Sequence, residues 1–503
     1  MRALYYNWVD YLDDEGRGGG VSVYQRNLMQ ALGQCPETEL TFFSSGVSYD
    51  LVSRAPRWER VRHGPDQDRD RRYEIVNSGV LAPAHHSYGD PAQLSHPATE
   101  EVVYDLIDAT GPYDVLHLNN LEGLPVSVLE GVKARWPEMR IVLSLHNYYP
   151  FCSQVNFWHQ ERMSCVDFDD GRNCVHCLPE RHETRNLQLA AGLSYRLKAA
   201  GLRPGSWVFD VLLFWSLRFG AHGARMLRRL RGVPRRVRLS AIGSNPGELQ
   251  ALLPPDGSPF LARRAQMVAT INTFCDVVLC VSDAVRRLAV GHGIDPTLAQ
   301  TSYIGTREAE RFEKTSPRAI PKAPPQGSEP ELTLGYLGYM RRDKGFYFLL
   351  QALETLPAPL ARRVRVVIAA RRGDKTTMGR VAALGKHLAE VDYANGYGHD
   401  DLDQLLDQVD VGLIPVLWHD NLPQVALEMH ARHIPLLCAD MGGAQELGNC
   451  PEMVFPAGDI AAFHARIEAL LEGAVDFDSY WQGARPPVNM AEHREALLQY
   501  YKA

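Results

Sequence analysis

Residues 332–355 read LTLGYLGYMRRDKGFYFLLQALET. The stretch LTLGYLG (332–338) is an apolar strand, and a helix runs from about 345 to 355. Between them lies Gly338-Tyr-Met-Arg341-Arg342-Asp-Lys344-Gly345. Basic side chains at a helix start neutralise a diphosphate and add to the favourable end of the helix dipole. The competing reading is a solvated basic turn, and the position between strand and helix favours the anion site.

The same alternation continues on both sides. Downstream come RVRVVIAA (363–370), VDVGLIP (409–415), a helix at about 422–432 and IPLLCAD (434–440). Upstream, RALYYN (2–7), TELTFFSS (38–45), YDVLHL (113–118), RIVLSLH (140–146) and VVLCVS (277–282) read as strands, with helices between them. Strands alternating with helices imply parallel sheets covered on both faces. The expected fold class is α/β, with two doubly wound Rossmann-like domains. Residues 306–330 are proline-rich and charged without an apolar period and read as a linker. The expected division is 1–305, the linker, 331–475, and a closing helical stretch 476–503 that returns to the first domain. Ligands of open α/β sheets bind beyond the carboxyl ends of the strands. The cleft between the two domains is therefore the expected site.

Size and charge agree with two domains. The chain has 503 residues, and single cores stop growing near about 250–300 residues. A charged fraction of 22% and a hydrophobic fraction of 45% exclude wholesale disorder, collagen and coiled coil. The net charge of −7 argues against nucleic acid as the main partner. No apolar run is long enough for a confident membrane span. The start, MRALYYNWVDYLDDEGRGGG, lacks the positive, then apolar pattern of a secretory signal, so the expected location is the cytoplasm.

Two further motifs carry chemistry. Gly18-Gly19-Gly20 lies between the first strand and the first helix, where glycines let the backbone approach an anion and the helix start offers free N–H groups. A plain flexible turn is the equal alternative, since the spacing is not GxGxxG. The second is Asp420-Asn421-Leu422-Pro-Gln-Val-Ala-Leu-Glu428, followed by a strand and Gly442-Gly443-Ala-Gln-Glu446. A carboxylate accepts two hydroxyl hydrogen bonds and so suits a ribose or hexose diol.

The order glycine loop, K-G turn, paired carboxylates and GG..E resembles the GT-B nucleotide-sugar glycosyltransferases, specifically the large retaining family 4, over most of the chain outside about 185–265. The resemblance implies that Asp420 contacts the donor sugar and Glu428 holds the donor ribose, with Asp420 standing where the family has Glu. It implies that Lys344 binds the diphosphate, with Arg341 or Arg342 supplying the charge that Tyr339 does not. It places His146 at a strand end near the sugar as a catalytic candidate, with Asn147 in place of the family's aspartate, and Asn119 and Asn147 on the acceptor side. Tyr397, in Asn-Gly-Tyr-Gly (395–398), is placed against the nucleotide base. Gly19, Gly20, Gly338, Asn421, Leu422, Gly442 and Gly443 complete the implied donor contacts.

Two segments stand outside that pattern. Cys152, Cys165, Cys174 and Cys177 cluster in a loop spanning 150–180. Four thiolates suit a structural tetrahedral zinc, with His159 and His176 near enough for a mixed set; unligated cysteines or a redox-sensitive pair are the alternatives. Residues 196–238 hold eleven Lys or Arg and one acid, Asp210, around the bulky stretch Trp207–Phe219. Aromatics flanked by basic residues suit a helix lying on an anionic membrane, and an ordinary buried helix is nearly as good a reading.

The resemblance thus implies a retaining glycosyltransferase of the hexosyltransferase type. Its donor would be a UDP- or GDP-sugar, and its acceptor a glycan, lipid-linked glycan or protein, as in assembly of bacterial surface polysaccharide or glycoconjugate. The fold implies no catalytic metal. A protein-modifying glycosyltransferase and a non-catalytic binding or scaffold protein of the same fold are the alternatives.

Overall fold

The computed structural model describes residues 1–178, 183–230, 256–317 and 331–502, without the side chains of 219–230. The part of the expected linker at 318–330, and the part of the basic stretch at 231–238, lie outside the described residues. Contacts gather the chain into two units. One comprises residues 1–144, 148–155 and 167–277, and the other 145–147, 156–166 and 278–503.

Strands β1 (Arg2–Tyr6), β2 (Glu39–Ser48), β3 (Arg57–Arg60), β4 (Arg72–Val76), β5 (Val115–Leu118) and β6 (Arg140–Leu145) occupy the N-terminal part. A small hairpin, β7 (Trp158–His159) with β8 (Met163–Ser164), precedes β9 (Val277–Cys280) and β10 (Ala299–Thr301). Apart from the hairpin these form one sheet in the order β10-β9-β6-β5-β1-β2-β4-β3. β1 pairs parallel with β2 and β5, β2 with β4, β5 with β6 and β9 with β10, whereas β3 pairs antiparallel with β4. β1 is apolar and buried over Ala3–Tyr6, as expected of a strand covered on both faces. The order leaves β1 between β2 and β5, with the chain crossing over on either side. That is a topological switch point.

The second sheet repeats the rule with fewer interruptions. β11 (Leu332–Gly338), β12 (Val364–Ala370), β13 (Glu390–Asn395), β14 (Val411–Ile414), β15 (Leu436–Ala439) and β16 (Val454–Phe455) run parallel in the order β13-β12-β11-β14-β15-β16. Its switch point lies between β11 and β14. Both strands are buried along almost their full length, so their side chains form the core while the loops beyond their carboxyl ends remain free for chemistry.

Candidate functional site

The candidate site is built on the second sheet, where the chain leaves β11 and β14. β11 ends at Gly338, and the next helix, Phe346–Glu354, begins after Gly345 in a left-handed conformation (φ 73°). A Cβ at Gly345 would lie 1.6 Å from the Pro415 carbonyl oxygen. Only glycine lets the turn 338–345 press against the chain leaving β14. The Asp343 carbonyl accepts from the Leu417 N–H at 2.9 Å, which ties the two segments together. The Asp343 carboxylate, itself buried, accepts from Arg341 Nε at 3.0 Å.

Lys344 reaches across the switch point. Its Nζ donates to Asp420 Oδ2 at 2.5 Å and stands 4.8 Å from the Trp418 ring centroid. Asp420 and Asn421 are both buried. Trp418 Nε1 and Asn421 Oδ1 are buried without a hydrogen-bond partner among the described residues, an arrangement costly enough to point to a ligand or water that completes it.

The glycine pair fixes this loop from the other side. Gly442 has φ 78°, and a Cβ there would lie 1.8 Å from the Asp420 carbonyl oxygen. The Gly443 N–H donates to that same oxygen at 2.9 Å. Ser282 Oγ donates to the Asn421 carbonyl at 2.7 Å, and Asn421 Nδ2 donates to the His146 carbonyl. Leu422 is buried beside them. Glu446 of the GG..E string has a different task. It accepts from the N–H groups of Asp283 and Ala284 (2.9 and 2.6 Å) and from Tyr303 Oη (2.8 Å), satisfying the open start of helix Asp283–Gly291.

Glu428 sits in helix Gln424–His430 between buried Leu427 and Met429. Burial pushes its carboxyl pKa up, and the nearby Glu308 adds to the rise; the Tyr397 hydroxyl, Arg432 and His399 work against it. Tyr397 Oη donates to Glu428 Oε2 at 3.3 Å. The pair spans the carboxyl end of the sheet, because Tyr397 follows β13 and Glu428 follows β14. A diol donating two hydrogen bonds would favour the ionised carboxylate.

The expected residues thus divide. Lys344, Asp420, Asn421, Leu422, Gly442 and Gly443 come together with the backbone of His146, and Glu428 meets Tyr397. Gly338 ends β11 with φ 142°. Arg341 is held by Asp343, whereas Arg342 is exposed and lies 5.7 Å from the Tyr347 ring centroid. The His146 ring is desolvated and its pKa falls to about 3, with His493 adding to the fall. Such a ring is neutral and a poor proton acceptor near neutral pH. Asn147 follows it immediately in the same unit.

Gly19, Gly20 and Asn119 belong to the first unit. Helix Gly19–Gly33 begins right after Gly18, with no acid in its first turn. Asn119 is fully buried beyond β5 and its Nδ2 donates to the Tyr6 carbonyl at 3.2 Å. Sequence reasoning missed Trp418 beside Lys344, and Asp343 and Ser282 as supports. Asp343 lies inside the quoted turn and was readable as its one acid; the other two carry no local signal.

The zinc reading gains no support from the structure. Among the described residues no group of three or more His, Cys, Asp or Glu side chains is placed to hold a metal ion. Cys165 falls in the second unit, and Cys152, Cys174 and Cys177 fall in the first. The Cys177 thiol donates to Gln154 Oε1 at 3.1 Å, and the Cys165 N–H donates to the Phe157 carbonyl of the β7–β8 region at 2.6 Å. Cys152, Cys174 and Cys177 all lie near the Tyr88 hydroxyl, and no metal step is derived from them. No described helix is long and apolar enough to cross a membrane.

Comparison with known proteins agrees with this geometry. Residues 331–473, which hold the whole second sheet, match the family described as Glycosyl transferases group 1. The chain resembles the sucrose-phosphate synthase of Thermosynechococcus elongatus at 14% identity and a TM-score of 0.54, over 100% of this chain and 98% of that one. It resembles HepE of Anabaena in complex with UDP at 12% identity and a TM-score of 0.52, over 100% of each chain. A UDP-forming α,α-trehalose-phosphate synthase of Burkholderia xenovorans, in complex with glucose-6-phosphate, aligns at 13% identity and a TM-score of 0.52, again over 100% of each. No curated protein matches the sequence. At these identities the structural likeness establishes the fold, and the matched family supplies the chemistry of its second half: the chain is a glycosyltransferase of GT-B fold with a glycosyl transferases group 1 domain at residues 331–473.

Proposed function

We propose that the chain moves a sugar from a nucleoside-diphosphate donor, a UDP- or GDP-sugar, to a glycan acceptor with the anomeric configuration retained. The observation that carries the reading is the Lys344–Asp420 bridge at the switch point between β11 and β14. A fixed cation and a buried carboxylate stand where open α/β sheets bind nucleotides. UDP in the HepE complex and the UDP-forming activity named for the trehalose-phosphate synthase support the donor class.

Each residue then has a task. Lys344 stabilises the departing diphosphate as negative charge builds on it, and exposed Arg342 is free to add to that field. Asp420 orients sugar hydroxyls. Glu428 accepts the ribose diol, and Tyr397 packs against the base. Asn421, held by Ser282 and the His146 backbone, fixes the loop that carries Asp420. His146 acts as a neutral support. On the first unit, the helix start at Gly19 and Gly20 offers N–H groups to an anion, and buried Asn119, bonded to the Tyr6 carbonyl, supports the acceptor side from beneath the surface. No step needs a metal. The acceptor class we favour is a lipid-linked glycan of bacterial surface polysaccharide assembly.

The test is donor binding by thermal shift across a panel of nucleotide sugars, then turnover of the donors that bind. Lys344→Ala is expected to cut kcat about 100-fold with folding intact. Glu428→Ala is expected to raise the donor KM about tenfold, the cost of lost hydroxyl acceptance. Binding without any turnover, even with acceptor mixtures, would make the chain a scaffold of this fold. No binding of any nucleotide sugar would end the proposal.

A further inference from the structure

Helix Trp207–Leu230 follows helix Thr184–Ala199 and packs on it through one side, where Phe209 is 3% exposed. The supporting helix is anchored firmly. Tyr195 donates to Glu59, Arg196 to Asp50 at 2.5 Å, and Lys198 Nζ to Glu15 at 2.8 Å. The far side of the outer helix exposes large apolar side chains. Trp207 is 78% exposed, Phe214 56% and Trp215 46%, with Val208 and Leu212 also open. Trp207, Val211, Phe214, Trp215 and Arg218 follow at steps of 4, 7, 8 and 11, so they share one face. The Arg218 guanidinium lies 5.9 Å from the Phe214 ring centroid and 5.8 Å from that of Trp215.

We propose that this face docks the protein onto an anionic lipid bilayer, with the helix lying in the headgroup plane. Three observations select that occupant. Tryptophans and phenylalanine on a helix too polar to cross a bilayer suit the boundary between headgroups and acyl chains. Arg218, beside two of these rings, can extend its charge to lipid phosphates while its stem stays among apolar groups. The sequence then adds seven arginines and no acid between 225 and 238, a charge pattern complementary to anionic lipid. A second copy of the chain fits less well, because two-fold pairing of this face would bring like-charged Arg218 side chains together. The docking goes beyond the sugar-transfer reading and does not rest on it.

The experiment uses the full chain and co-sedimentation with vesicles of phosphatidylcholine alone, or of phosphatidylcholine with phosphatidylglycerol, at low and high salt. Wild type is expected to pellet with the anionic vesicles and to be released by salt. The triple variant Trp207→Ser, Phe214→Ser, Trp215→Ser is expected to lose about tenfold or more in apparent affinity. Arg218→Glu is expected to weaken binding to the anionic vesicles alone. All four residues are exposed, so circular dichroism and the thermal midpoint should be unchanged. Equal sedimentation of wild type and triple variant, or no binding to anionic vesicles, overturns the proposal. So does a wild-type dimer that the triple variant converts to monomer, which would make a second copy the occupant. None of these readouts involves sugar transfer, so failure here and failure of the enzymatic reading are told apart.

Discussion

At the switch point of the first sheet, the residues beyond β1 and β5 meet through amides. The Asn119 N–H and Nδ2 both donate to the Tyr6 carbonyl, and Asn120 Nδ2 donates to Asn7 Oδ1. At the switch point of the second sheet, the residues beyond β11 and β14 meet through charge, Lys344 on Asp420. The strand order around each point is the same, yet one end is neutral and the other ionic. The glycines differ as well. Gly19 has φ 54° and a Cβ there would touch nothing, whereas Gly345 has φ 73° and a Cβ there would strike the Pro415 carbonyl. The first loop needs a backbone conformation; the second needs close approach. One topology therefore carries two kinds of contact at its switch points, amide to carbonyl or amide on one unit and cation to carboxylate on the other.

The largest effect expected from breaking this contrast is at Gly345. Gly345→Ala adds left-handed strain to a direct backbone collision, and about 4 kcal/mol of stability should be lost in urea unfolding. Gly19→Ala carries only the conformational term, about 1 kcal/mol. Equal losses at the two positions would remove the distinction between close approach and backbone conformation.

The second contrast is how each loop is held. The turn at 338–345 is clamped by its own sheet. The glycine loop is held by charges: Arg17 pairs with Asp13 at 2.7 Å and Glu15 at 3.5 Å, and buried Lys198 of helix Thr184–Ala199 pairs with Glu15 at 2.8 Å. Lys198→Ala should cost about 2 kcal/mol, below the usual figure for a fully buried pair because Arg17 remains beside Glu15. Hydrogen exchange should rise at residues 13–20 and stay unchanged at 338–345. Equal protection in the variant would mean that helix Thr184–Ala199 does not hold the loop.

Most sheet strands were legible because parallel strands covered on both faces read as unbroken apolar runs between turn residues. β11, β12 and β15 fall within a residue or two of the stretches quoted from the sequence. β4 was not legible: Arg72-Tyr-Glu-Ile-Val looks like surface. Its Arg72 is buried against Asp10 at 3.0 Å and its Glu74 against Ser48 and His63. Long-range ion pairing hid the strand, and no local pattern reports it. The candidate site divides in the same way. Lys344, Asp420 and Glu428 stood out as charges at strand ends or inside an apolar helix. Ser282 and the backbone of His146, which hold Asn421 from more than a hundred residues away, could be found only in three dimensions. The cysteine cluster shows the limit of spacing alone: Cys152, Cys174 and Cys177 gather near Tyr88, yet among the described residues no set of three or more side chains is placed to hold a metal ion.

The smallest expected effect is a slope with pH, and it separates the units by the protons they exclude. Burial lowers the pKa of His146 to about 3 and of His430 and His493 to about 4. All three belong to the second unit. In the unfolded chain each ring titrates near ~6.5. Between about pH 6.5 and 4 the unfolded state therefore binds more protons than the native state, so stability is full above that window and falls as pH falls through it. In the first unit, Glu74 is desolvated, yet His63 and Ser48 hold its carboxyl below the usual range. Its contribution is present above the ordinary carboxylate pKa and is lost only in stronger acid. Mild acid should thus loosen the second unit first, at up to about 1.4 kcal/mol per pH unit for each histidine. Urea unfolding at steps from pH 7 to 5 measures the slope, and proteolysis at pH 5 should cut the second unit before the first. His493→Gln should make the slope measurably shallower. A flat profile over that range would mean that these rings are hydrated, and the contrast between the units would then rest on their switch points alone.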